Sequence, residues 1–248
     1  MTDLLALPPG LVPISLSFLL FRGLHAILSK YIALPNSIVH GPRRKQWLYY
    51  NISISLIHST VTAIWSLYCF YNEPAMLSDM IGVWTSSSYF LLCLSTGYFL
   101  HDFLDMLLND LSRSTVLLIH HTLVVVAFLI AILTKNYCGY GTCSLLMEVN
   151  SVFLHSRRIM LFHDVDRKST LYELNGLLML ATFVFFRFLT SAWMMNFVIK
   201  ARHIIPATHV FYGGFAMAAM IIMNIQLFTQ LWNADFAKDK KRQAASDD

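Results

Sequence analysis

The sequence predicts an all-α, multi-pass membrane protein. Of its 248 residues, 56% are hydrophobic and only 13% are charged, whereas soluble domains have about 25% charged residues. The hydrophobic residues form seven long runs, and about 20 such residues are enough to cross a ~30 Å hydrocarbon core. Because lipid admits only helices and closed barrels, runs of this length indicate helices. The seven predicted transmembrane helices are residues 11–31, 47–70, 80–104, 115–134, 143–162, 174–199 and 207–232.

The first span, residues 11–31, is expected to remain in the mature chain. Residues 1–10 contain no Lys or Arg, so the positive segment that opens a secretory signal is missing. The basic residues follow this span instead, beginning at Lys30 and continuing with Arg43, Arg44 and Lys45. This arrangement favours an N-terminus outside the cytosol.

Polar residues within the second, third and fifth spans fall at helical spacing, so each set lies on one helix face. The three stripes are Asn51, Ser55, His58 and Thr62; Tyr98, His101 and Asp105; and Glu148, Ser151 and His155. Asp102 is rotated by roughly 100° from its neighbour His101. Ionisable groups at membrane depth are costly and usually face a protein interior or cavity, where they mark function.

The fourth span, residues 115–134, contains the adjacent pair His120-His121. Neighbouring residues on a helix differ by ~100°, so we expect one ring to face inward and the other to contact a neighbouring helix or the backbone. In the sixth span, Arg187 lies near the midplane, where an unpaired Arg costs at least ~2.5–3.5 kcal/mol. Glu148 lies at a matching depth, which suggests an ion pair with Arg187; the alternative is that Arg187 snorkels or binds lipid phosphate.

The distribution of basic residues supports seven spans with a cytosolic C-terminus. Thirteen Lys and Arg residues fall on the predicted cytosolic side and three on the outer side. The cytosolic set is Lys30, Arg43, Arg44, Lys45, Arg113, Arg157, Arg158, Arg167, Lys168, Lys238, Lys240, Lys241 and Arg242; the outer set is Lys135, Lys200 and Arg202. The net charge of +4 is explained by this topology and by attraction to anionic lipid headgroups, and we expect no nucleic-acid binding.

Three segments organise the chain. Residues 1–40 hold the extracytoplasmic end, the first helix and a cytosolic loop; residues 41–236 form one domain of six helices; and residues 237–248 form a polar tail, which we expect to be disordered and cytosolic. Cys138 and Cys143 flank a Gly-rich stretch, NYCGYGTC, in a predicted outer loop. A disulfide there and two free thiols are both open.

The polar cluster allows several kinds of chemistry. A His beside a carboxylate can act as a general base, and a membrane-embedded His can accept an acyl group, so acyl transfer to a lipid is one interpretation. The candidate catalytic residues are His101, Asp102, Asp105, His120 and His121, and the candidate lipid-binding residues are His58, Glu148, Ser151, His155 and Arg187. The alternatives are interhelical hydrogen bonding and metal or haem ligation. No metal or other cofactor is expected, since the chain lacks an H-x-x-H spacing.

The segments GYFLHDFLD, LIHHTLVVVAF and SLLMEVNSVFLHSRR resemble the TLC domain, and the likeness extends from about Arg43 to Phe236. The resemblance implies a bundle of six helices around a lipid-accessible cavity. It also implies control of phospholipid acyl composition and membrane fluidity, by limiting the incorporation of long polyunsaturated chains at the plasma membrane, with the endoplasmic reticulum as the alternative location. The implied partners are phospholipids, fatty acyl chains and, for an enzyme, acyl-CoA.

Ceramide synthases of the same family share the paired histidines, which correspond here to His120 and His121. Their second motif, a His-Asp pair followed by a further Asp, aligns with MEVNS. At those positions this chain has Met147, Glu148 and Ser151. The departure argues against ceramide synthesis and leaves a regulator and another lipid acyltransferase as the two interpretations.

Overall fold

The computed structural model describes Pro8 and residues 10–234, and no strand occurs among them. In chain order the helices are α1 (Leu11–Tyr31), α2 (Asn36–Val39), α3 (Arg43–Asn72), α4 (Ala75–Ser78), α5 (Ser86–Asn109), α6 (Leu111–Thr134), α7 (Cys138–Leu145), α8 (Glu148–Phe162), α9 (Thr170–Phe183), α10 (Thr190–Ala201) and α11 (Ala207–Trp232). A π-helical segment, Val184–Leu189, joins α9 to α10. The predicted all-α membrane class is confirmed. The tail predicted at 237–248 lies outside the described residues.

Six helical stretches of the described chain are long and apolar enough to cross a membrane. They are α1, α3, α5, α6, the continuous stretch Thr170–Ala201 and α11, and they correspond to six of the seven predicted spans. The third begins later than predicted, because residues 80–85 lie before the helix, and Thr85 caps it with its hydroxyl on the Ser88 amide. A Thr cap supplies an acceptor to an otherwise unpaired amide and so sets where a helix starts.

The span predicted at 143–162 is divided between α7 and α8. At Leu146 and Met147 the backbone keeps helical dihedral angles, but its hydrogen bonds shorten to the i→i+3 pattern, as from Met147 to Ser144. Such 3₁₀ stretches within a helix often mark functional hinges. Neither half alone is long enough to cross a membrane, so the count of seven crossings stays a prediction.

The helices form a ring. Helix α5 packs between α3 and α6, α3 packs on α8, α8 packs on α9, α10 packs on α11, and α11 returns to α6. The short helix α7 lies inside this ring and contacts α3, α5, α6 and α10. Most residues of α7 are buried. Small residues, including Gly139 and Gly141, allow the surrounding helices to pack closely against it.

Helix α1 packs against α5 from outside the ring. The contact is close at Gly97, where an added Cβ would lie 2.5 Å from the Ser17 Cβ and 2.6 Å from the Ile14 carbonyl oxygen. The Ser17 hydroxyl donates to the Leu94 carbonyl oxygen at 2.6 Å. Small residues that allow such close helix approach are typical of membrane helix interfaces.

Each end of the bundle is marked by a polar side-chain contact. At one end, which we call the Asp110 end, the Arg44 guanidinium donates two hydrogen bonds, of 2.8 and 2.6 Å, to the carboxylate of Asp110. This hydrogen bond holds the pKa of Asp110 below its ordinary value. The opposite end is called the Tyr137 end; there the Tyr137 hydroxyl lies 3.0 Å from the His209 Nδ1.

The prediction that Cys138 and Cys143 lie in an outer loop is wrong, because both residues belong to the buried helix α7. Both thiols are free and fully buried. Five residues of helix rise by ~7.5 Å, and Cα atoms more than about 7 Å apart cannot be bridged. Of the two possibilities, free thiols are what the structure contains.

Candidate functional site

His121 and Asp102 form the centre of the polar cluster, across the interface of α6 and α5. The His121 Nε2 lies 3.7 Å from the Asp102 Oδ2, and both side chains are about 4% exposed. The His121 ring also packs on Phe99, with 5.1 Å between ring centroids. The expectation that one histidine of the pair contacts a neighbouring helix is confirmed.

Asn51 of α3 holds the two buried carboxylates of α5. Its Nδ2 donates to the Asp102 Oδ1 at 2.6 Å and to the Asp105 Oδ2 at 3.0 Å. The Trp47 Nε1 donates a further hydrogen bond to the Asp105 Oδ2 at 2.8 Å. Buried carboxylates need such donors, since an unsatisfied charged group in the interior costs several kcal/mol.

His101 lies apart from the paired histidines, because it faces α1. Its ring is 5.7 Å from the ring of His25 and nearly perpendicular to it, and the His25 Nδ1 lies 3.7 Å from the Asp105 Oδ2. Asp105 thus joins His25 rather than the paired histidines. The structure brings only Asp102, of the three polar residues in GYFLHDFLD, to His121.

His58 is stacked flat on Tyr98, with 3.7 Å between ring centroids and 9° between planes. Its Nε2 lies 3.3 Å from the Ser95 hydroxyl, and the Tyr98 hydroxyl donates to Ser55 at 2.9 Å. His58 is fully buried. These contacts place it in the packed interface of α3 and α5, where it supports the cluster and does not line an open cavity.

His120 faces the other way, toward a crevice between α6, α7, α10 and α11. Its Nδ1 lies 2.9 Å from the Met220 Sδ, and Met220 lines the crevice. The crevice has a volume of about 120 Å³. Its walls are mostly apolar and include Leu123, Ala127, Phe128, Tyr140, Met147, Met194, Phe197, Gly213, Ala216 and Met217.

The crevice runs from the Tyr137 end toward the middle of the bundle. Tyr137 and His209 line its outer part, and Met220 lies at its inner part. From His209 to Met220 the helix α11 rises by ~16 Å. An apolar groove of that length suits a hydrocarbon chain better than a polar ligand. The His120 imidazole lies against Met220, the residue at its inner part.

Arg187 lies on the π-helical segment and is held by three neutral acceptors. Its Nε donates to the Asn150 Oδ1 at 2.7 Å, its Nη1 to the Asn224 Oδ1 at 3.0 Å, and its Nη2 to the Ser151 Oγ at 2.9 Å. π-helical segments of this kind are frequent at functional sites. The polar amides replace water around the guanidinium without neutralising its charge.

The ion pair suggested between Glu148 and Arg187 is not formed. The ion pairs within 4.0 Å that the described residues make are His25–Asp105, Arg44–Asp110 and His121–Asp102. Glu148 lies one turn from Ser151 on α8, ~4.5 Å away along the helix axis, so the guanidinium lies at the level of Asn150 and Ser151. His155 is half-buried on the same helix, one turn beyond Ser151.

The sequence interpretation missed the two asparagines that hold Arg187. Asn150 lies between the two flagged residues Glu148 and Ser151, and Asn224 interrupts an otherwise apolar stretch of α11. The signal was present, because a polar amide in such a stretch is costly unless it is paired. Among residues 10–234, no group of three or more His, Cys, Asp or Glu side chains could hold a metal ion.

Comparison with known proteins identifies the architecture. The TLC domain profile matches residues 50–233. The chain belongs to the TLC domain family. It is 41% identical to TLC domain-containing protein 2 of Danio rerio over 197 residues, which cover 79% of this chain and 80% of that protein.

Two further TLC domain relatives cover still more of the chain. TLC domain-containing protein 2 of Homo sapiens is 34% identical over 221 residues, which are 89% of this chain and 81% of that protein. TLC domain-containing protein 1 of Mus musculus is 30% identical over 226 residues, which are 90% of this chain and 88% of that protein. The TLC match begins within α3 and ends one residue after α11, so it spans the ring and leaves α1 outside.

Proposed function

We propose that the protein controls the acyl composition of membrane phospholipids, and through it membrane fluidity, by limiting the incorporation of long polyunsaturated chains. The observation that carries this proposal is the apolar crevice whose inner wall residue, Met220, contacts His120. A hydrocarbon chain lying in the crevice would bring its carboxyl-derived head to the polar cluster. The partners of this role are phospholipids and fatty acyl chains.

A narrow groove discriminates among chains by shape. Aromatic residues, including Phe128, Tyr140 and Phe197, line it, and each removed or added methylene in such a site changes affinity by about 1–3 kcal/mol. Several cis double bonds bend a chain away from the straight path between α6 and α11. We therefore expect saturated and monounsaturated chains to bind in preference to polyunsaturated ones.

The proposal places the protein in the plasma membrane, with the Asp110 end toward the cytosol. The excess of basic residues at that end favours the orientation. The endoplasmic reticulum is the alternative location. Surface labelling of an epitope attached at the N-terminus of intact cells would test both points, since an accessible epitope requires the plasma membrane and an outside N-terminus.

The second candidate function is acyl transfer from acyl-CoA to a lysophospholipid, and the His121–Asp102 contact favours it. In this scheme the Nδ1 of His120 carries the proton, and its Nε2 attacks the thioester carbonyl carbon. The CoA thiolate leaves and takes up the Nδ1 proton, and the acyl group remains on Nε2 of the neutral imidazole. An acceptor hydroxyl then takes the acyl group and returns a proton. His121, whose Nε2 lies 3.7 Å from the Asp102 Oδ2, acts in this scheme as a positioning residue.

Purified full-length protein separates the two candidates. It is supplied with palmitoyl-CoA and either a lysophospholipid or a sphingoid base, and acyl transfer is measured for the wild type, His120→Ala and His121→Ala. His203→Ala serves as the matched control, because His203 is exposed and lies near the Tyr137 end. Transfer lost in His120→Ala and kept in His203→Ala would establish the enzyme and replace the regulator as the conclusion.

If the protein is a regulator and not an acyltransferase, we expect a different result. No acyl transfer should occur in the purified system. Cells expressing the wild type should nevertheless contain a smaller polyunsaturated fraction in their phospholipids than cells expressing His120→Ala at the same level. Filling the crevice with Gly213→Leu should abolish the effect in the same way. A phospholipid composition that is unchanged by removing the protein, measured by lipid mass spectrometry, would contradict the proposal.

A further inference from the structure

Arg187 remains a cation with unused hydrogen-bond donors. A guanidinium has five N–H groups, and Asn150, Asn224 and Ser151 accept from three of them. Two N–H groups are therefore left over, and the side chain is only half-buried. An Arg at membrane depth is costly without a compensating anion, and no carboxylate of the described chain lies within 4.0 Å of it.

The neutral partners of Arg187 are themselves fixed. The Asn150 Nδ2 donates to the Met179 carbonyl oxygen at 2.8 Å and to the Thr182 hydroxyl at 3.0 Å. The Asn224 Nδ2 donates to the Ser191 hydroxyl at 3.3 Å. With their NH₂ groups engaged, both amides direct their oxygens at the guanidinium. The charge is thus held in place by neutral dipoles. Glu148 attracts it electrostatically but forms no ion pair with it within 4.0 Å.

The guanidinium lies one helical turn beyond the inner end of the crevice. Its partner Asn224 follows Met220 by one turn of α11, and Met220 both lines the crevice and contacts His120. Its partner Ser151 likewise follows Met147, which lines the crevice from the α7–α8 junction. An extended chain in the crevice would therefore end with its head group between His120 and Arg187.

We propose that Arg187 binds the carboxylate of a long-chain fatty acid whose hydrocarbon chain lies in the crevice. The inference rests on the proposed function, since it requires the crevice to accept such a chain. A carboxylate fits the two free N–H groups, because a guanidinium binds two oxygens in one plane. The ligand class is thus a non-esterified fatty acid, and the neutral ester of an intact phospholipid would lack this contact.

The inference is tested by comparing the binding of two ligands that have the same hydrocarbon chain and different head groups. Radiolabelled palmitate and hexadecanol have the same chain length, but only palmitate carries a charge above its pKa. The dissociation constants of both are measured at pH 8 with the full chain in lipid nanodiscs. Because a hydrogen bond to a charged group contributes about 1.5–3 kcal/mol, palmitate should bind at least about tenfold more tightly than hexadecanol.

Variants locate the source of that preference. Arg187→Gln should weaken palmitate binding about tenfold and leave hexadecanol binding unchanged, whereas Arg187→Lys should keep part of the preference. Arg202→Gln is the charge-matched control, because the Arg202 guanidinium bonds only to the Ile199 carbonyl oxygen among the described residues. Equal binding of the two ligands by the wild type, which requires no variant to fold, would overturn the inference.

Two further measurements separate a failure of the proposed function from a wrong assignment of the bound oxyanion. Gly213→Leu narrows the crevice, so it should weaken palmitate and hexadecanol alike; if neither ligand binds the wild type, the proposed function fails together with the inference. Palmitoyl lysophosphatidate is added as a competitor to test a phosphate as the oxyanion. If it displaces palmitate and binds more tightly through Arg187, the carboxylate assignment is wrong.

Discussion

Replacing Gly97 by Ala should destabilise the protein at the contact of α1 with α5. The new Cβ would lie 2.5 Å from the Ser17 Cβ and 2.6 Å from the Ile14 carbonyl oxygen, whereas carbon atoms prefer separations of about 3.5–4.0 Å. The helices must therefore separate by ~1 Å at this point. Because one of the two neighbours is backbone, a side-chain rotation cannot relieve the overlap.

The expected cost has two parts. Overpacking of this kind costs about 1–3 kcal/mol, and separation also weakens the hydrogen bond from Ser17 to Leu94, which is worth about 1 kcal/mol. The free energy of unfolding should thus fall by ~2–4 kcal/mol. It can be measured by SDS titration of the purified protein in mixed micelles, with the loss of helical circular dichroism as the signal.

Gly176→Ala is the matched control within α9. An added Cβ there meets no heavy atom within 4 Å, so Ala should be neutral or should stabilise the helix by up to about 1 kcal/mol. An unfolding free energy for Gly97→Ala equal to that of the wild type would refute the packing argument. Equal destabilisation by both substitutions would also refute it, because the loss would then not depend on the helix contact.

Three further predictions concern the polar network and the thiols. The Arg44 hydrogen bond lowers the pKa of Asp110. The stabilisation that the ionised Asp110 provides is therefore present above the unfolded pKa of about 3.9 and is lost as the pH falls through the folded pKa. Asp110→Asn should be less stable than the wild type at pH 7, and the difference in unfolding midpoint should vanish in acid. Asn51→Ala removes the donor to two buried carboxylates and should lower the unfolding free energy by about 1–3 kcal/mol, as SDS titration can measure. Cys138 and Cys143 should both react with iodoacetamide after denaturation without a reductant, and an intact mass lacking either adduct would contradict the free thiols.

Much of the fold follows from the length and continuity of the apolar runs. The first span was predicted at 11–31, as observed. A long, largely apolar run begins directly after Gly10, and Pro35 and Asn36 follow it closely. The break at Leu146 and Met147 could not be predicted in this way. Both residues are apolar, and the change to 3₁₀ hydrogen bonds depends on how α7 fits inside the ring.

The sequence predicted which types of residue belong to the candidate site, but it did not predict which side chains contact one another. Helical spacing separated His120 from His121 correctly, since adjacent residues always diverge on a helix. It could not choose between Asn150 and Glu148 as the partner of Arg187, because that choice depends on the π-helical register of Val184–Leu189. The two residues differ by only ~3 Å in depth, but they point to opposite sides of α8.

The network on Asn51 also bears on how the protein is made. Asp102 and Asp105 would make α5 expensive to release into lipid by itself, since one Asp near a helix centre costs about 2.5–3.5 kcal/mol on insertion scales. Their donors, Trp47 and Asn51, belong to α3 and leave the ribosome first. The order of the helices along the chain thus ensures that each carboxylate meets its donor as it enters the membrane, and α3 and α5 are expected to leave the translocon as a pair.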